Sequence, residues 1–152
     1  VHEGDEGGKT VTTASRSAAY HRKRGWMAQV VEAWRGPKRY DLFGIGDVLL
    51  LDLATGHKVL IQAYMDTRAE RLKHAGMDLS HPTVRAWCLG GDTFVHEVWK
   101  RVKPRGKRMR WVCRRTSFSL WSTGKPCVSV DTEPAAGGEQ ISPHPRAPGS
   151  RP

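Results

Sequence analysis

Two aliphatic runs joined by a short polar turn constrain the fold of this chain more than any other feature. The first run is Val48–Leu51 and the second covers residues 59–61. Each has strand length and a β-rich composition, and residues 54–57, with the sequence ATGH, supply turn chemistry between them. The pattern predicts a β-hairpin.

Two polar residues stand where this hairpin would otherwise be apolar. Asp47 opens the first strand, and Gln62 interrupts the second. Because side chains alternate between the faces of a strand, Asp47 shares a face with Leu49, while Gln62 shares one with Lys58 and Tyr64. A carboxylate and an amide can therefore converge at one end of the hairpin.

The domain organisation follows from length and composition. The chain has 152 residues with a hydrophobic fraction of 38%, which can fill one modest core. Residues 1–12 are Gly-rich and lack periodicity, and residues 122–152 hold six of the nine prolines. Both segments are predicted to be disordered, which leaves one compact domain over residues 13–121.

Charge and cysteine content narrow the class of protein. Twenty-five Lys and Arg against fifteen Asp and Glu give a net charge of +10, which favours nucleic acid as the partner. The three cysteines are odd in number and lack CxxC spacing, so neither a disulfide framework nor a zinc site is indicated. No apolar run approaches the roughly 18 residues of a membrane span. We therefore expect a cytoplasmic protein without a membrane partner.

Caps and hydrophobic periodicity predict helices and further strands around the hairpin. Asp66 or Thr67 can cap the second helix, and Ser80 can cap the third, which has Pro82 at its first position. The predicted elements are a helix beginning after Thr13 or Ser15 and ending before Gly25, a strand over residues 26–34, a helix over residues 68–75, a helix over residues 82–89 and a strand over residues 93–99.

Residues 100–115 form a basic segment with nine Lys or Arg and no acid. Residues 104–106, with the sequence PRG, predict a turn, so the segment should be a basic hairpin. A charge run is often only a solvated face, but Trp99 and Trp111 interleave with these cations, which favours nucleic-acid contact. Alternation with Met109 and Cys113 favours the core for Trp111. The cations predicted to bind nucleic acid are Lys100, Arg101, Lys103, Arg105, Lys107, Arg108 and Arg110 here, with Arg68 and Arg71 on the second helix.

The carboxylates are the candidates for chemistry. Glu32 lies among apolar residues, so it is either at an exposed edge or held inside for a metal or a base. Glu32 on one strand, Asp47 at the start of the next and Gln62 on a third is a ligand set that Mg²⁺ could use against a phosphodiester. The alternative is structural: Asp47 begins a strand, and Gln62 hydrogen-bonds a neighbouring backbone.

The order of these segments resembles the restriction-endonuclease-like, or PD-(D/E)XK, superfamily, particularly the small resolvase-like nucleases of phages. The resemblance spans residues 13–116 and rests on GWMAQVVEAW, RYDLFGIGDVLLLD, VLIQAY and VHEVW. It implies an α/β fold with a restriction-endonuclease-like core, a central mixed sheet flanked by helices. Glu32 matches the first acid of the family, Asp47 the motif aspartate and Gln62 the (D/E) position, so these residues would hold Mg²⁺ or Mn²⁺.

Two positions depart from the family motif. Gln62 has a neutral amide where the family usually has a carboxylate, and Tyr64 stands where the lysine should be. Some members look similar with the lysine on a neighbouring helix, which nominates Lys73 here, ahead of Lys58. Asp41 is a further candidate acid, although its neighbour Arg39 makes a loop salt bridge an equal explanation.

The resemblance and the charge together predict a Mg²⁺-dependent DNA endonuclease of a bacterial or phage-infected cell, with branched DNA such as a Holliday junction as a candidate substrate. A homodimer is a further expectation, because members that cut both strands often look dimeric. Two alternatives remain: a non-catalytic nucleic-acid-binding protein on the same fold, and an RNA-binding or RNA-processing module.

Overall fold

The computed structural model describes residues 11–134, which form an α/β domain around one mixed sheet. In chain order the elements are α1 (Thr13–Arg22), β1 (Met27–Val30), β2 (Ala33–Arg35), β3 (Lys38–Tyr40), β4 (Val48–Leu51), β5 (Lys58–Met65), α2 (Arg68–His74), α3 (Pro82–Leu89), β6 (Thr93–Val102), β7 (Arg110–Leu120) and β8 (Pro126–Pro134). The sheet order is β1-β4-β5-β6-β7-β8, and β2 pairs with β3 separately. Within the sheet β5 and β6 are parallel, and the other neighbours are antiparallel.

The central hairpin is confirmed. β4 and β5 pair in antiparallel register, with Val48 opposite Ile61 and Leu51 opposite Lys58. Gly56 in the connecting turn has a φ of 73°, a conformation in which glycine has no steric penalty. The register brings residue 47 opposite residue 62, so the two polar positions meet at one end of the hairpin, as alternation predicts.

Helices cover both faces of the sheet. On one face, α1 packs over the buried residues Val48, Leu50 and Trp99. On the other face, α3 packs over Leu60 and Phe94. Because successive strand residues point to opposite faces, the near-continuous apolar runs of β4 and β5 supply both cores at once. No helix among residues 11–134 has the length and apolar character needed to cross a membrane.

Two helix caps differ from the sequence prediction. Thr12 caps α1, with its side chain accepting from the Ser15 amide, so the cap precedes both Thr13 and Ser15. His81 caps α3. Ser80 lies one residue before the N-cap position, and its amide and hydroxyl both donate to Asp78 in the preceding turn.

The single strand predicted over residues 26–34 is wrong, because the chain breaks between β1 and β2. β1 ends at Val30, and the Val31 amide then donates to the Asp47 carbonyl at 2.9 Å. The chain leaves the sheet at Glu32 and enters the small β2–β3 hairpin, whose turn contains Gly36 with a φ of 60°. This break frees Glu32 from the alternation of β1.

The predicted disordered tail over residues 122–152 is also wrong in part. β8 lies within that tail and pairs with β7 along its whole length, so the described domain extends beyond residue 121 to residue 134. Pro126 and Pro134 stand at the two ends of this edge strand, where proline removes few ladder hydrogen bonds. Residues 1–10 and 135–152, which complete the predicted leader and tail, lie outside the described residues.

A buried ion-pair network fastens α1 and β8 to the sheet. Glu97 on β6 is fully buried, accepts a hydrogen bond from the Ser17 hydroxyl and contacts His21 Nε2. Arg115 Nε donates to Glu97 at 2.8 Å, and Arg115 Nη1 donates to Glu133 on β8, also at 2.8 Å. Burial opposes ionisation of Glu97, but His21 and Arg115 outweigh it and hold its pKa below the usual range.

Candidate functional site

Three carboxylates from separate loops meet beside the start of β4. Glu32 follows β1, Asp41 follows β3 and Asp47 precedes β4. One ligand oxygen of each lies within 4.8 Å of the others. Glu32 and Asp47 were both predicted site residues, and Asp41, weighed as a further acid, joins them rather than replacing Glu32.

Asp47 is the most buried acid of this cluster, with 1% of the residue exposed. Its Oδ1 accepts a hydrogen bond from the Ala63 amide at 3.0 Å, which fixes the carboxylate against β5. Burial raises the pKa of Asp47 to about 8, and the neighbouring charges of Asp41 and Glu32 add to that shift. A proton or a cation therefore stabilises the cluster at neutral pH.

Gln62 is held by its amide nitrogen. In the orientation that satisfies its neighbours, Nε2 donates to Asp41 Oδ2 at 3.1 Å and to the Ile45 carbonyl at 2.9 Å. The other end of the amide, now the oxygen, faces Asp47 Oδ2 at 3.4 Å. Two acceptor oxygens at this distance repel one another unless Asp47 holds a proton or a cation lies between them.

Two carboxylate oxygens of the cluster are buried without a hydrogen-bond donor among the described residues. They are Glu32 Oε2 and Asp41 Oδ1. The Glu32 side chain is only 8% exposed, and Arg39 Nη1 lies 3.3 Å from its Oε2 without forming a hydrogen bond of good geometry. Buried carboxylate oxygens are normally paired, so these two leave acceptor capacity for a ligand.

Gly46 allows the loop that carries Asp47 to lie directly against β5. A Cβ at this position would stand 2.4 Å from Leu60 Cγ, so any larger residue would push the loop away. In the same loop Phe43 has a φ of 55°, which costs a bulky residue about 1 kcal/mol, and Gly44 follows with a φ of 72°. The conformation of the loop that leads to Asp47 therefore depends on Gly46 and on the positive φ values of Phe43 and Gly44.

The lysines nominated for the motif position lie elsewhere. Lys58 begins β5, four residues before Gln62, and its Nζ lies 3.7 Å from Asp92. Lys73 is exposed on α2, and none of its described contacts reaches the acids. Arg39 is instead the cation placed against the carboxylates, and sequence reasoning treated it only as a possible salt-bridge partner of Asp41.

His74 is a residue of this region that sequence reasoning missed. Its ring stacks on Tyr64 at 4.5 Å between centroids, and its Nε2 lies 3.2 Å from Glu70. Its Nδ1 is buried without a described partner, and burial lowers the pKa of the imidazole, although Asp41 and Glu70 oppose the shift. Glu70 is four residues away on the same helix, but nothing in the sequence marks the contact with Tyr64.

The basic hairpin forms between β6 and β7. Its turn is the predicted one, with the Lys107 amide donating to the Pro104 carbonyl at 3.0 Å and Gly106 at a φ of 71°. All seven predicted cations are exposed and lack an acidic partner among the described residues. On α2, Arg71 instead pairs with Asp66 at 2.7 Å, and Arg68 is exposed.

The two tryptophans that interleave with these cations do not offer free rings. Trp99 is fully buried in the core under α1. Trp111 packs against the same core, as alternation predicts, and Arg16 covers its ring at 3.6 Å from the centroid. The argument that these rings favour nucleic-acid contact is therefore wrong, whereas the exposed cations remain available.

The structure thus contains both an oxygen-only ligand set and an exposed basic hairpin. Comparison with models of protein families, with curated proteins and with solved structures found no match to this chain. Its function is therefore argued from the site itself.

Proposed function

We propose that this chain is a metal-dependent DNA endonuclease whose centre is formed by Glu32, Asp41, Asp47 and Gln62. The observation that carries the proposal is the meeting of three carboxylates within 4.8 Å, two of which leave a buried oxygen without a donor. Like charges this close and this buried repel one another unless a proton or a cation lies between them. The physiological partner of the cluster is then a cation rather than a proton.

The ligand set fits a hard divalent cation. The cluster offers carboxylate oxygens and an amide oxygen, with neither thiol nor imidazole among its members, which suits Mg²⁺ or Mn²⁺. Such a cation, when bound, lowers the pKa of a coordinated water and stabilises charge on a phosphate. Asp47, Glu32 and Asp41 would hold it, with the Gln62 oxygen completing the set.

The surrounding residues have their own parts in this proposal. The Ala63 amide keeps Asp47 in place, and the two hydrogen bonds of Gln62 keep its oxygen directed at Asp47. Arg39 lies beside Glu32, where it can meet a phosphate oxygen of the substrate. The basic hairpin would attract and position the DNA backbone.

The topology supports a restriction-endonuclease-like core. A helix precedes the antiparallel strands β1, β4 and β5, and after two further helices the chain returns as β6, parallel to β5. This is the helix-strand-hairpin-helix-strand order that the sequence resemblance implies. The acids lie where that core would place a metal, at the start of β4 and beside β5.

A non-catalytic nucleic-acid-binding protein is the second candidate, and one observation favours it. With a pKa of about 8, Asp47 can hold a proton at neutral pH, so the cluster can be neutralised without a metal. In that case the fold would keep its basic surface and bind nucleic acid without cutting it.

Incubation with nucleic acid separates the two. Purified protein should cut DNA in Mg²⁺ or Mn²⁺ and leave it intact in EDTA or Ca²⁺, with linear duplex, nicked duplex, four-way junction and RNA as parallel substrates. If no substrate is cut in any cation but binding is measurable, the protein is the non-catalytic nucleic-acid-binding protein. Cutting of RNA but not DNA would move the proposal to an RNA-processing enzyme.

Metal binding and stability should depend on pH through Asp47. Its folded pKa of about 8 lies above the usual 3.8, so its stabilising contribution is complete below about pH 4 and is lost as pH rises towards 8. Added Mg²⁺ must displace the proton, so its apparent affinity should fall about tenfold for each pH unit below about 8. Thermal unfolding with and without Mg²⁺ at pH 6 and pH 8 measures both effects.

The matching variant is Asp47→Asn, which removes the titrating group while keeping its shape. It should unfold at a higher temperature than the wild type at pH 8 without metal and show little shift with Mg²⁺. An equal Mg²⁺ shift in the variant would place the cation elsewhere.

Affinity for DNA should depend on salt mainly through the basic hairpin. If about four of its cations contact phosphates, the plot of log K against log[salt] should have a slope near −4 from this hairpin. The double variant Arg105→Ala, Lys107→Ala should make that slope shallower by about 2. The control is Lys23→Ala, Lys125→Ala, which changes net charge equally at exposed sites away from the hairpin. Equal slopes for hairpin variant and wild type would place the DNA along Arg68 and α2.

A further inference from the structure

Three large aromatic side chains stand exposed close to the acids in the chain, Trp34 on β2, Tyr40 on β3 and Phe43 in the loop that follows Asp41. Trp34 is 65% exposed, Phe43 66% and Tyr40 47%, and none belongs to either hydrophobic core. We name these three residues the aromatic arm. Exposed rings lose the free energy that burial would supply, so such a grouping usually marks a surface with a partner.

The position of the arm ties it to the acid cluster. Trp34 follows Glu32 by two residues, and Phe43 follows Asp41 by two. In the β2–β3 hairpin Trp34 is directly opposite Arg39, so both lie on the same face, and the Arg39 guanidinium reaches Glu32. At least one exposed ring therefore shares the side of the hairpin that faces the carboxylates.

The backbone conformation of Phe43 is unfavourable for phenylalanine, so the ring itself is the feature that needs an explanation. Residues 42–45 form a tight turn, with the Ile45 amide donating to the Leu42 carbonyl at 3.1 Å. Among the described residues, Phe43 is the one non-glycine residue with a positive φ. Glycine or asparagine would adopt this conformation with less strain. A strained and solvent-exposed phenylalanine gives the folded chain no packing in return.

The charge around the arm indicates the chemistry of its partner. Arg35 and Lys38 pair across the hairpin on the face opposite Trp34, both exposed and without an acidic partner among the described residues, and the Arg35 guanidinium lies 5.7 Å from the centroid of the Tyr40 ring. Each face of the hairpin thus carries an exposed ring and a cation, a combination that fits a nucleic-acid strand whose bases are free to stack while its phosphates are neutralised. A continuous duplex offers phosphates but no free base faces.

We propose that the aromatic arm stacks on unpaired bases next to the phosphodiester held at the acid cluster, so that the preferred substrate is DNA with a single-stranded segment. This inference rests on the proposed nucleic-acid function and adds the substrate class. A forked or flapped duplex should bind more tightly than a linear duplex, and also more tightly than a fully paired four-way junction. The preference should reside in Trp34 and Phe43.

Binding in EDTA tests the arm without any cleavage. Fluorescence anisotropy gives the Kd for forked and for linear duplex, and 2-aminopurine in the unpaired arm of the fork reports stacking. Trp34→Ala and Phe43→Asn should each weaken binding of the fork by about 5- to 100-fold, restore the 2-aminopurine signal and leave the salt slope unchanged. Trp121→Ala is the matched control, because Trp121 is 39% exposed at the β7–β8 turn, at the far edge of the sheet.

Stability distinguishes this role from a structural one. Asparagine tolerates the conformation of Phe43, so Phe43→Asn should raise the melting temperature by about 2–5 °C while weakening the fork. The inference is overturned if both variants keep the wild-type preference for the fork. It is also overturned if the wild type is a dimer that dissociates in either variant, because the arm would then be a protein interface. If the wild type cleaves DNA in Mg²⁺ and both variants still quench 2-aminopurine, the nuclease proposal stands and the role of the aromatic arm is rejected. If quenching is lost in the variants but the wild type cleaves in no cation, the arm binds unpaired bases and the nuclease proposal is rejected.

Discussion

Replacing Asp47 with asparagine is expected to reduce Mg²⁺-dependent cleavage of DNA by at least about a hundredfold. Outer-shell changes at metal sites already cost about 10- to 100-fold, and Asp47 is proposed to touch the metal itself. Asparagine preserves the acceptor for the Ala63 amide, so the loop should keep its shape. DNA binding in EDTA should stay the same or tighten, because one negative charge near phosphate is gone. Single-turnover cleavage rates and anisotropy measure the two properties separately.

The control for this variant is Asp131→Asn, an equal change of charge at an exposed position on β8. It should cleave at the wild-type rate. Equal cleavage by Asp47→Asn and wild type would end the assignment of the acid cluster as a catalytic centre. If Asp47→Asn loses both DNA binding and cleavage, Asp47 is needed for the fold rather than for holding a metal.

Replacing Glu97 with alanine is expected to lower the free energy of unfolding by about 3–5 kcal/mol. The change leaves Arg115 and His21 buried beside one another without their shared carboxylate, and breaking a buried pair from one side has about this cost. Among the described residues, Arg115 would keep its hydrogen bond to Glu133 and its contact with the Tyr20 ring. Chemical denaturation at pH 7 measures the loss.

The double variant Glu97→Leu, Arg115→Met tests the cause of that loss. The double variant leaves no buried guanidinium without Glu97, and the more exposed Glu133 keeps the Tyr20 hydroxyl as a donor, so it should be more stable than Glu97→Ala. Asp92→Asn is the control for a partly exposed ion pair, at Lys58, and should cost less than about 1 kcal/mol. A loss below about 1 kcal/mol in Glu97→Ala would show that the network contributes little to the attachment of α1 and β8.

The Glu97 network and the acid cluster lie on opposite faces of the same strands. Glu97 is directly beside Ala63, whose side chain faces α1, whereas Gln62 points to the other face. A destabilised Glu97 variant that remains folded should therefore retain its affinity for Mg²⁺. The two predictions thus separate the chemistry of the site from the stability of the domain.

Local sequence determined the elements whose pattern is complete within a few residues. The β4–β5 hairpin, α2 and the turn of the basic hairpin follow from alternation, caps and glycine at positive φ. The same alternation placed Asp47 and Gln62 at one end of the hairpin. These features are predictable because neighbours along the chain fix them.

Tertiary structure decided which side chains meet. Glu32 reaches Asp47 because the chain leaves the sheet after Val30, a break that the continuous pattern of residues 26–34 does not signal. The strand β8 forms because the edge of β7 pairs with it, despite a composition typical of disorder. Pairing partners of this kind come from distant parts of the sequence.

The basic and aromatic residues show the same division. Composition established the positive charge, but only burial separated Trp99, which is enclosed in the core, from Trp34, which is exposed beside the acids. Likewise the fold placed Arg39 against Glu32 and left Lys73 in solvent. The sequence gives the type of each side chain. Its neighbours depend on how the sheet and helices pack, because packing brings together residues that are far apart in the chain.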